Sequence, residues 1–116
     1  ISLLLQPRDR APGAAPEVLQ HGVVVLNLIE HAVRVGDRPS QPLSRLEFTL
    51  LAVLMRHAGQ VLPAETLIEQ VWGYEEGDKS MLQNLVWRVR KKLEADPRQP
   101  RYLLTVGEVG YRLRGE

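Results

Sequence analysis

One segment, residues 79–92, constrains the fold of this chain more than any other. It carries five cationic side chains and no acidic one. Its apolar residues recur at intervals of four, three and four positions, which places them on one stripe of a helix. These residues are Leu82, Val86, Val89 and Leu93. Arg88, Lys91 and Lys92 are predicted on the opposite side. The segment therefore predicts a helix that is buried on one side and basic on the other.

Charge is divided unevenly along the chain, although the net charge of all 116 residues is only +1. Residues 1–78 contain six Lys and Arg against ten Asp and Glu, a net charge of −4. Residues 79–116 contain nine against four, a net charge of +5. Such asymmetry suggests a surface that binds a polyanion, and nucleic acid is the first partner to test. A solvated helix face without a partner is the alternative.

Length and residue types exclude several classes of protein. A chain of 116 residues has room for one domain whose core folds without cross-links. Because cysteine is absent, neither a disulfide framework nor a thiolate metal site can form, and we expect a cytoplasmic protein. No apolar run approaches the ~20 residues that cross a bilayer, so no membrane partner is expected. The chain begins at Ile1 rather than Met, and we expect a fragment of a longer protein.

Composition divides the chain into a linker and one domain. Residues 6–16 hold three prolines, a glycine and mostly small or charged side chains. We therefore predict that residues 1–16 are a linker and the tail of a missing upstream domain, and that residues 17–116 form the folded domain. Short β-branched or alternating runs at 18–20, 23–29, 32–35 and 38–41 predict an antiparallel meander of three or four strands.

After the meander the apolar period changes from two to 3.6, which predicts helices. Ser44 and Glu47 have the spacing of a capping box, so a first helix is predicted from there to about residue 57. Gly59 provides its C-terminal stop. A second helix is predicted over residues 64–72, where Pro63 sets the entry angle.

The basic helix comes third, and a hairpin follows it. Asp78 or Ser80 is predicted to cap this helix, and residues 102–106 and 109–113 predict two strands. The fold class is therefore α+β, with a small N-terminal antiparallel sheet, a three-helix core and a C-terminal β-hairpin wing. This is the order of a winged helix-turn-helix, whose recognition helix enters the DNA major groove while the helix before it braces it.

Three blocks of sequence, taken in order, carry a more specific resemblance. They read PLSRLEFTLLAVLMRHAGQVL, ETLIEQVWG and LVWRVRKKLEADPRQPRYLLTVGEVGYRL. Over residues 17–113 the chain resembles the effector domain of OmpR/PhoB-class bacterial response regulators. The resemblance implies a four-stranded N-terminal sheet and a transcriptional regulator that binds double-stranded DNA at direct-repeat sites as a head-to-tail dimer. It also implies a phosphorylated receiver domain upstream, which would end near Leu5.

The resemblance implies base contacts from the third helix. Arg88 matches the arginine of the family that reads bases in the major groove. A guanidinium can donate two parallel hydrogen bonds to O6 and N7 of guanine, which is worth about 1–3 kcal/mol of discrimination. Met81, Asn84 and Leu85 match other contact positions, and we expect them on the outward face. Asn84 suits adenine, and the two apolar side chains suit a thymine methyl group.

A second set of residues is expected to contact the DNA backbone, which fixes register but carries little sequence information. The set comprises Lys79, Ser80, Arg90, Lys91, Trp72, Thr105, Tyr111 and Arg112. Two of them have structural alternatives, because Trp72 also fits a plug in the core and Tyr111 also fits packing under the hairpin. Trp87 falls between the apolar stripe and the basic face, and the sequence leaves its role open.

The turn of the hairpin departs from the family pattern. The family commonly carries arginine there, which enters the narrow minor groove of A·T-rich DNA. This chain has Gly107 and Glu108 instead. A carboxylate at that tip repels phosphates, so we expect weaker binding or sparser minor-groove readout, which Arg112 and Arg114 only partly offset.

Other functions have weaker support. Tyr74, Glu75 and Glu76 lie in the loop that can contact RNA polymerase in this family, and a solvated acidic loop is the alternative. The histidines have neither metal-ligand spacing nor a paired nucleophile, so we expect no enzyme, no metal and no cofactor. A winged-helix protein-interaction module, whose basic helix binds an acidic protein, remains the alternative function.

Overall fold

The computed structural model describes residues 17–73 and 77–114, so the predicted linker over 1–16 lies outside the described residues. The predicted α+β order is confirmed. The elements are β1 (Val18–His21), β2 (Val24–Asn27), β3 (Ala32–Val35), β4 (Gln41–Pro42), α1 (Arg45–Arg56), β5 (Leu62–Pro63), α2 (Ala64–Trp72), α3 (Lys79–Leu93), β6 (Leu103–Val106) and β7 (Gly110–Leu113).

The N-terminal sheet is an antiparallel meander in the order β1-β2-β3-β4. Its buried residues alternate along the strands, and Leu26 lies directly opposite Val33. The last strand is shorter than the predicted run over 38–41 and starts only at Gln41. Pro39 explains the difference, because proline has no N–H group to donate to a strand ladder.

Helix α1 is the central element of the core. Ser44 and Glu47 form the predicted capping box: the Ser44 hydroxyl accepts from the Glu47 amide at 3.2 Å, and the Glu47 carboxylate accepts from the Ser44 amide at 2.9 Å. Its buried residues run from Leu50 to Met55 without interruption, because the sheet and both other helices pack around it. The helix ends at Arg56 with His57 as its C-cap, and Gly59, the predicted stop, follows two residues later with a φ of +85°.

The C-terminal hairpin gains a third strand that the sequence did not predict. Strand β5 pairs with β7, so that Leu62 lies opposite Tyr111 and Pro63 opposite Gly110. A Cβ on Gly110 would lie 1.9 Å from the carbonyl oxygen of Leu62, so only glycine permits this approach. A strand of two residues that ends in proline has no alternation to reveal it.

An ion pair joins the start of α1 to the end of α3. The Lys92 ammonium lies 2.8 Å from the Glu47 carboxylate and also donates to the carbonyl oxygen of Pro42. Lys92 was predicted on the outward basic face, and that prediction is wrong. Its long side chain turns back along the helix flank, because the buried Glu47 carboxylate, only 6% exposed, needs a cation.

The pKa of the Glu47 carboxyl reflects this pairing. Burial raises the pKa, but the hydrogen bonds from Lys92 and Ser44 outweigh burial and lower it below the ordinary value of 4.5. A lowered folded-state pKa means that the carboxylate stabilises the fold fully above the unfolded-state pKa. That stabilisation is lost as the pH falls through the folded-state pKa.

We therefore expect Glu47→Gln to lower the free energy of unfolding by about 1–2 kcal/mol at pH 7, because a charged hydrogen-bonding partner is lost. Near pH 3 the difference from the wild type should narrow, since the wild-type carboxyl is then increasingly protonated. Urea denaturation at both pH values measures it. The control is Glu69→Gln on the exposed face of α2, which should change stability by less than about 0.5 kcal/mol at either pH. An equal loss at both pH values for Glu47→Gln would contradict the role of the charge.

Candidate nucleic-acid interface

Helix α3 begins at a side-chain cap and ends in a basic turn. The Asp78 carboxylate accepts from the Met81 amide at 2.8 Å, which satisfies one of the free N–H groups at the start of the helix. Of the two predicted caps, the structure therefore uses Asp78, and Ser80 is exposed in the first turn. The last turn carries Arg90, Lys91 and Lys92, where cations oppose the negative end of the helix dipole.

The outward face of α3 brings together most of the predicted base contacts. Asn84, Arg88 and Lys91 are exposed and follow one another at intervals of four and three, so they form one ridge. Met81 is 38% exposed and lies beside Arg88 on the same side. Arg88 is exposed, and its side chain makes no hydrogen bond or ion pair with another described residue.

Leu85 does not belong to this face, and its predicted outward position is wrong. It is only 2% exposed and packs with the core residues of α3. The buried stripe is wider than the predicted one, because α1, α2 and the hairpin all contact this helix. Leu82, Leu85 and Val89 recur at three and four positions, which is the signal that could have found it. A thymine contact from Leu85 is thereby excluded in this conformation.

Arg90 and Thr105, both predicted to contact the DNA backbone, are bonded to each other. The Arg90 guanidinium donates to the carbonyl oxygen of Leu103 at 3.0 Å and to the Thr105 hydroxyl at 2.9 Å. Burial lowers the pKa of Arg90 from its ordinary value, while Tyr111 and Glu94 act in the opposite direction. Arginine stays protonated at neutral pH despite such burial. Arg90 therefore holds the wing against α3.

A buried carboxylate that the sequence analysis missed fixes the same junction. Glu94 is 4% exposed and accepts hydrogen bonds from the amides of Arg101, Tyr102 and Leu103, at 2.7, 3.0 and 2.8 Å. These amides open the first strand of the wing. In the sequence Glu94 stands between Leu93 and Ala95 at the end of a basic helix, and nothing there distinguishes it from a solvated acid.

The far side of α3 is held by the N-terminal sheet. The Arg38 guanidinium, from the segment between β3 and β4, donates to the carbonyl oxygen of Leu93 at 2.8 Å. That carbonyl belongs to the last turn of the helix, where no partner within the helix is available. Together with Lys92, this contact attaches the helix to the body of the domain.

A cleft of about 290 Å³ separates α3 from the wing. It brings together three predicted backbone contacts, Lys79, Thr105 and Tyr111. Two residues that received no such role also line it. Gln83 comes from α3, one turn after Lys79, and Glu108 comes from the tip of the wing. Tyr111 is only 8% exposed, as its predicted packing under the hairpin requires.

The remaining predicted contacts lie elsewhere. Trp72 is partly buried against the core, and a Cβ on Gly77 would approach its ring to 2.9 Å, which fits a structural plug. Arg112 lies on the other face of the hairpin from Thr105, beside His21 and Gly59. Its Nε is buried without a hydrogen-bond partner among the described residues. The predicted polymerase-contact residues Tyr74, Glu75 and Glu76 lie outside the described residues.

Within the described ranges, no group of three or more histidine, aspartate or glutamate side chains is placed to hold a metal ion. The same ranges contain no helix of the length and hydropathy that a membrane span requires.

Comparison with known proteins agrees with this geometry. Residues 38–113 match the family described as "Transcriptional regulatory protein, C terminal". The sensory transduction protein RegX3 of Mycobacterium tuberculosis is 45% identical over 100 residues, which cover 84% of this chain and 43% of that protein. The chain thus spans less than half the length of this curated relative.

Solved structures show the same fold. Response regulator DrrB of Thermotoga maritima, an OmpR/PhoB homologue, matches with a TM-score of 0.75 at 28% identity, over 85% of this chain and 45% of that one. The DNA-binding domain of Klebsiella pneumoniae RstA, solved in complex with the RstA box, matches with a TM-score of 0.72 at 26% identity. That match covers 87% of this chain and 100% of the RstA domain.

The bonds of Arg90 lead to a test of the helix–wing junction. Arg90→Lys should lower the free energy of unfolding by about 1–3 kcal/mol, because lysine cannot reproduce the planar two-way donation. Urea denaturation measures the loss, and amide hydrogen exchange in β6 should show where protection falls. The matched control is Arg88→Lys, the same replacement at an exposed position of the same helix, which should stay within about 0.5 kcal/mol. If both variants lowered the free energy of unfolding by the same amount, Arg90 would have no special role in holding the wing against α3.

Proposed function

The chain belongs to the OmpR/PhoB-type family of transcriptional regulatory protein C-terminal domains, and we propose that it binds double-stranded DNA sequence-specifically as the non-enzymatic output domain of a two-component response regulator. The observation that carries this proposal is the exposed ridge of α3. Asn84, Arg88 and Lys91 project from a helix whose opposite side is buried in the core and whose last turn is bonded to Arg38, next to the sheet, and to the wing. A helix of about 10–12 Å diameter fits the major groove of B-DNA.

Arg88 is the residue that we assign to base reading. Its guanidinium is exposed, and no bond among the described residues would have to break before it donates to guanine. Asn84, one turn earlier, has both a donor and an acceptor and therefore suits adenine. Met81 supplies an apolar surface on the same side, suited to a thymine methyl group.

Backbone contacts surround this ridge. Lys91 and Lys79 are exposed cations on α3, and Ser80 offers a hydroxyl in its first turn. Such contacts neutralise phosphates and release counterions, so they raise affinity for any duplex. Arg90 and Thr105 already bond each other, and they would meet a phosphate as a preformed pair. Tyr111 lies beside them in the cleft.

The wider assembly is inferred from the family. We propose direct-repeat DNA sites, a head-to-tail dimer on those sites and a receiver domain in the complete protein, which acts in the cytoplasm. The proposal that Tyr74, Glu75 and Glu76 contact RNA polymerase rests on their sequence alone. The alternative, a protein-interaction module, is not favoured, since the RstA domain with the same fold was solved in complex with its DNA box.

The proposal predicts that two substitutions on α3 have different effects. The duplex is first selected from random DNA, and binding is followed by fluorescence anisotropy over a range of salt concentrations. Arg88→Ala should lose about 1–3 kcal/mol of discrimination at one base pair. Lys91→Ala should weaken binding to all sequences alike, and its log–log salt dependence should be shallower by about 0.9.

The matched control is Arg34→Ala, which removes one positive charge from the N-terminal sheet instead of α3. We expect neither the base preference nor the salt slope to change. If the wild-type domain bound no duplex at low salt, specific or random, the proposed function would be wrong and the protein-interaction alternative would stand.

The acidic tip of the wing generates a further prediction. Glu108→Arg should tighten binding at fixed salt and steepen the salt dependence by about 0.9, since one more phosphate is neutralised. Glu30→Arg makes the same charge reversal in the exposed turn between β2 and β3, and it should have a smaller effect. Equal tightening by both variants would show a general charge effect, and no tightening by Glu108→Arg would mean that the tip does not approach DNA.

A further inference from the structure

The proposed DNA-facing surface contains one large aromatic residue that no step above uses. Trp87 is 40% exposed, whereas the apolar residues of α3 that form the core are at most 2% exposed. The other tryptophan, Trp72, is partly buried and packs against the core. Tryptophan carries more apolar surface than any other side chain, so its position on a helix that otherwise presents polar groups calls for a physical reason.

Helical spacing fixes the flank on which Trp87 lies. It follows Gln83 by four positions and precedes Arg90 by three, and both of these residues face the wing. Arg88 precedes Lys92 by four positions, and Lys92 bonds the opposite side of the domain, towards α1 and β4. Trp87 therefore lies on the wing side of the ridge, whereas its neighbour Arg88 lies on the side of the ridge that faces away from the wing.

This placement decides what must happen to the indole when DNA binds. Trp87 is three positions after Asn84 and four before Lys91, so it shares a patch of helix surface with both. A duplex that contacts those two residues also covers Trp87 and removes its exposed surface from water. In the major groove the one apolar group of the bases is the C5 methyl of thymine. Apolar contact with that methyl is therefore the favourable way to cover the indole.

We propose that Trp87 is a specificity-determining residue whose indole packs on the C5 methyl group of a thymine in the major groove. The thymine lies on the wing side of the base pair that Arg88 reads. This inference rests on the proposed DNA-binding function. It gives the site two adjacent reading elements of different chemistry, a bidentate donor and an apolar face.

Removing one methyl group at a time from the DNA tests the contact between Trp87 and thymine. In the selected duplex each thymine near the Arg88 base pair is replaced in turn by deoxyuridine, which removes only the methyl group. At one position the wild type should bind the thymine duplex about fourfold more tightly, the value expected for burying one methyl-sized group. In Trp87→Gln that ratio should fall to about one, while the base preference assigned to Arg88 persists. The non-additivity of the two changes isolates the contact.

Two variants control for other causes. Trp87→Phe removes the ring N–H but keeps an aromatic face, so the thymine ratio should survive. Ile29→Gln removes another exposed apolar side chain, from the turn between β2 and β3, and should leave the ratio at this position unaltered. Thermal unfolding should be nearly unchanged for Trp87→Gln, because the side chain is exposed in the free domain.

The outcomes separate this inference from the function on which it rests. If the wild type shows Arg88-dependent specificity but there is no thymine whose ratio falls to about one in Trp87→Gln, the inference is overturned and DNA binding stands. A loss of cooperative binding to two half-sites, with unchanged binding to one, would instead assign Trp87 to a second protein copy and also overturn it. If no duplex binds the wild type, both conclusions fail.

Discussion

The hydrogen bonds to the buried carboxylate of Glu94 are the interaction on which the shape of the proposed DNA-binding surface depends. It follows the last residue of α3 and accepts three amides from the start of the wing, so one side chain sets the angle between the two elements. A buried amide left without an acceptor costs about 1–3 kcal/mol. The Leu103 amide is buried and the other two are partly buried, so these hydrogen bonds hold the chain in this turn. Arg90 then adds two bonds across the same junction. These hydrogen bonds from Glu94 and Arg90 restrict the position of the wing relative to α3, and so they determine the shape of the cleft between them.

The sequence predicted the elements that carry a long periodic pattern or a local chemical signal. The capping box at Ser44 and the apolar stripe of α3 both depend on neighbours along the chain, and both are confirmed. Strand β5 was not predicted, because two residues are too few to show a periodic pattern. The strand is defined by its pairing with β7. The shortened β4 follows from a single missing N–H group at Pro39.

The outline of the candidate site could be predicted from the sequence, but its details could not, because they depend on contacts that helical spacing does not show. Exposure of Arg88 and Asn84 follows from helical spacing, whereas Leu85 and Lys92 were misplaced because the sequence does not show how many neighbours surround α3. Lys92 is drawn to a carboxylate 45 residues away, and Glu94 to amides up to nine residues ahead. Charge along the chain predicts a basic helix, but not which cations are used inside the protein. Roles at the bases remain predictions.

The rigid attachment of α3 to the wing has a consequence for how a target is chosen. Because Arg90 and Glu94 both bond the end of α3 to the wing, a change in the separation between the helix ridge and the wing would break these hydrogen bonds. In the proposed complex we therefore expect the duplex, rather than the protein, to deform. The stiffness and groove width of DNA depend on its sequence even at base pairs that no side chain touches. Two sites with identical contacted bases would then differ in affinity through the flexibility of the steps between them. Affinity in the proposed complex would thus depend on how well the duplex fits the distance between α3 and the wing, as well as on the bases that side chains contact.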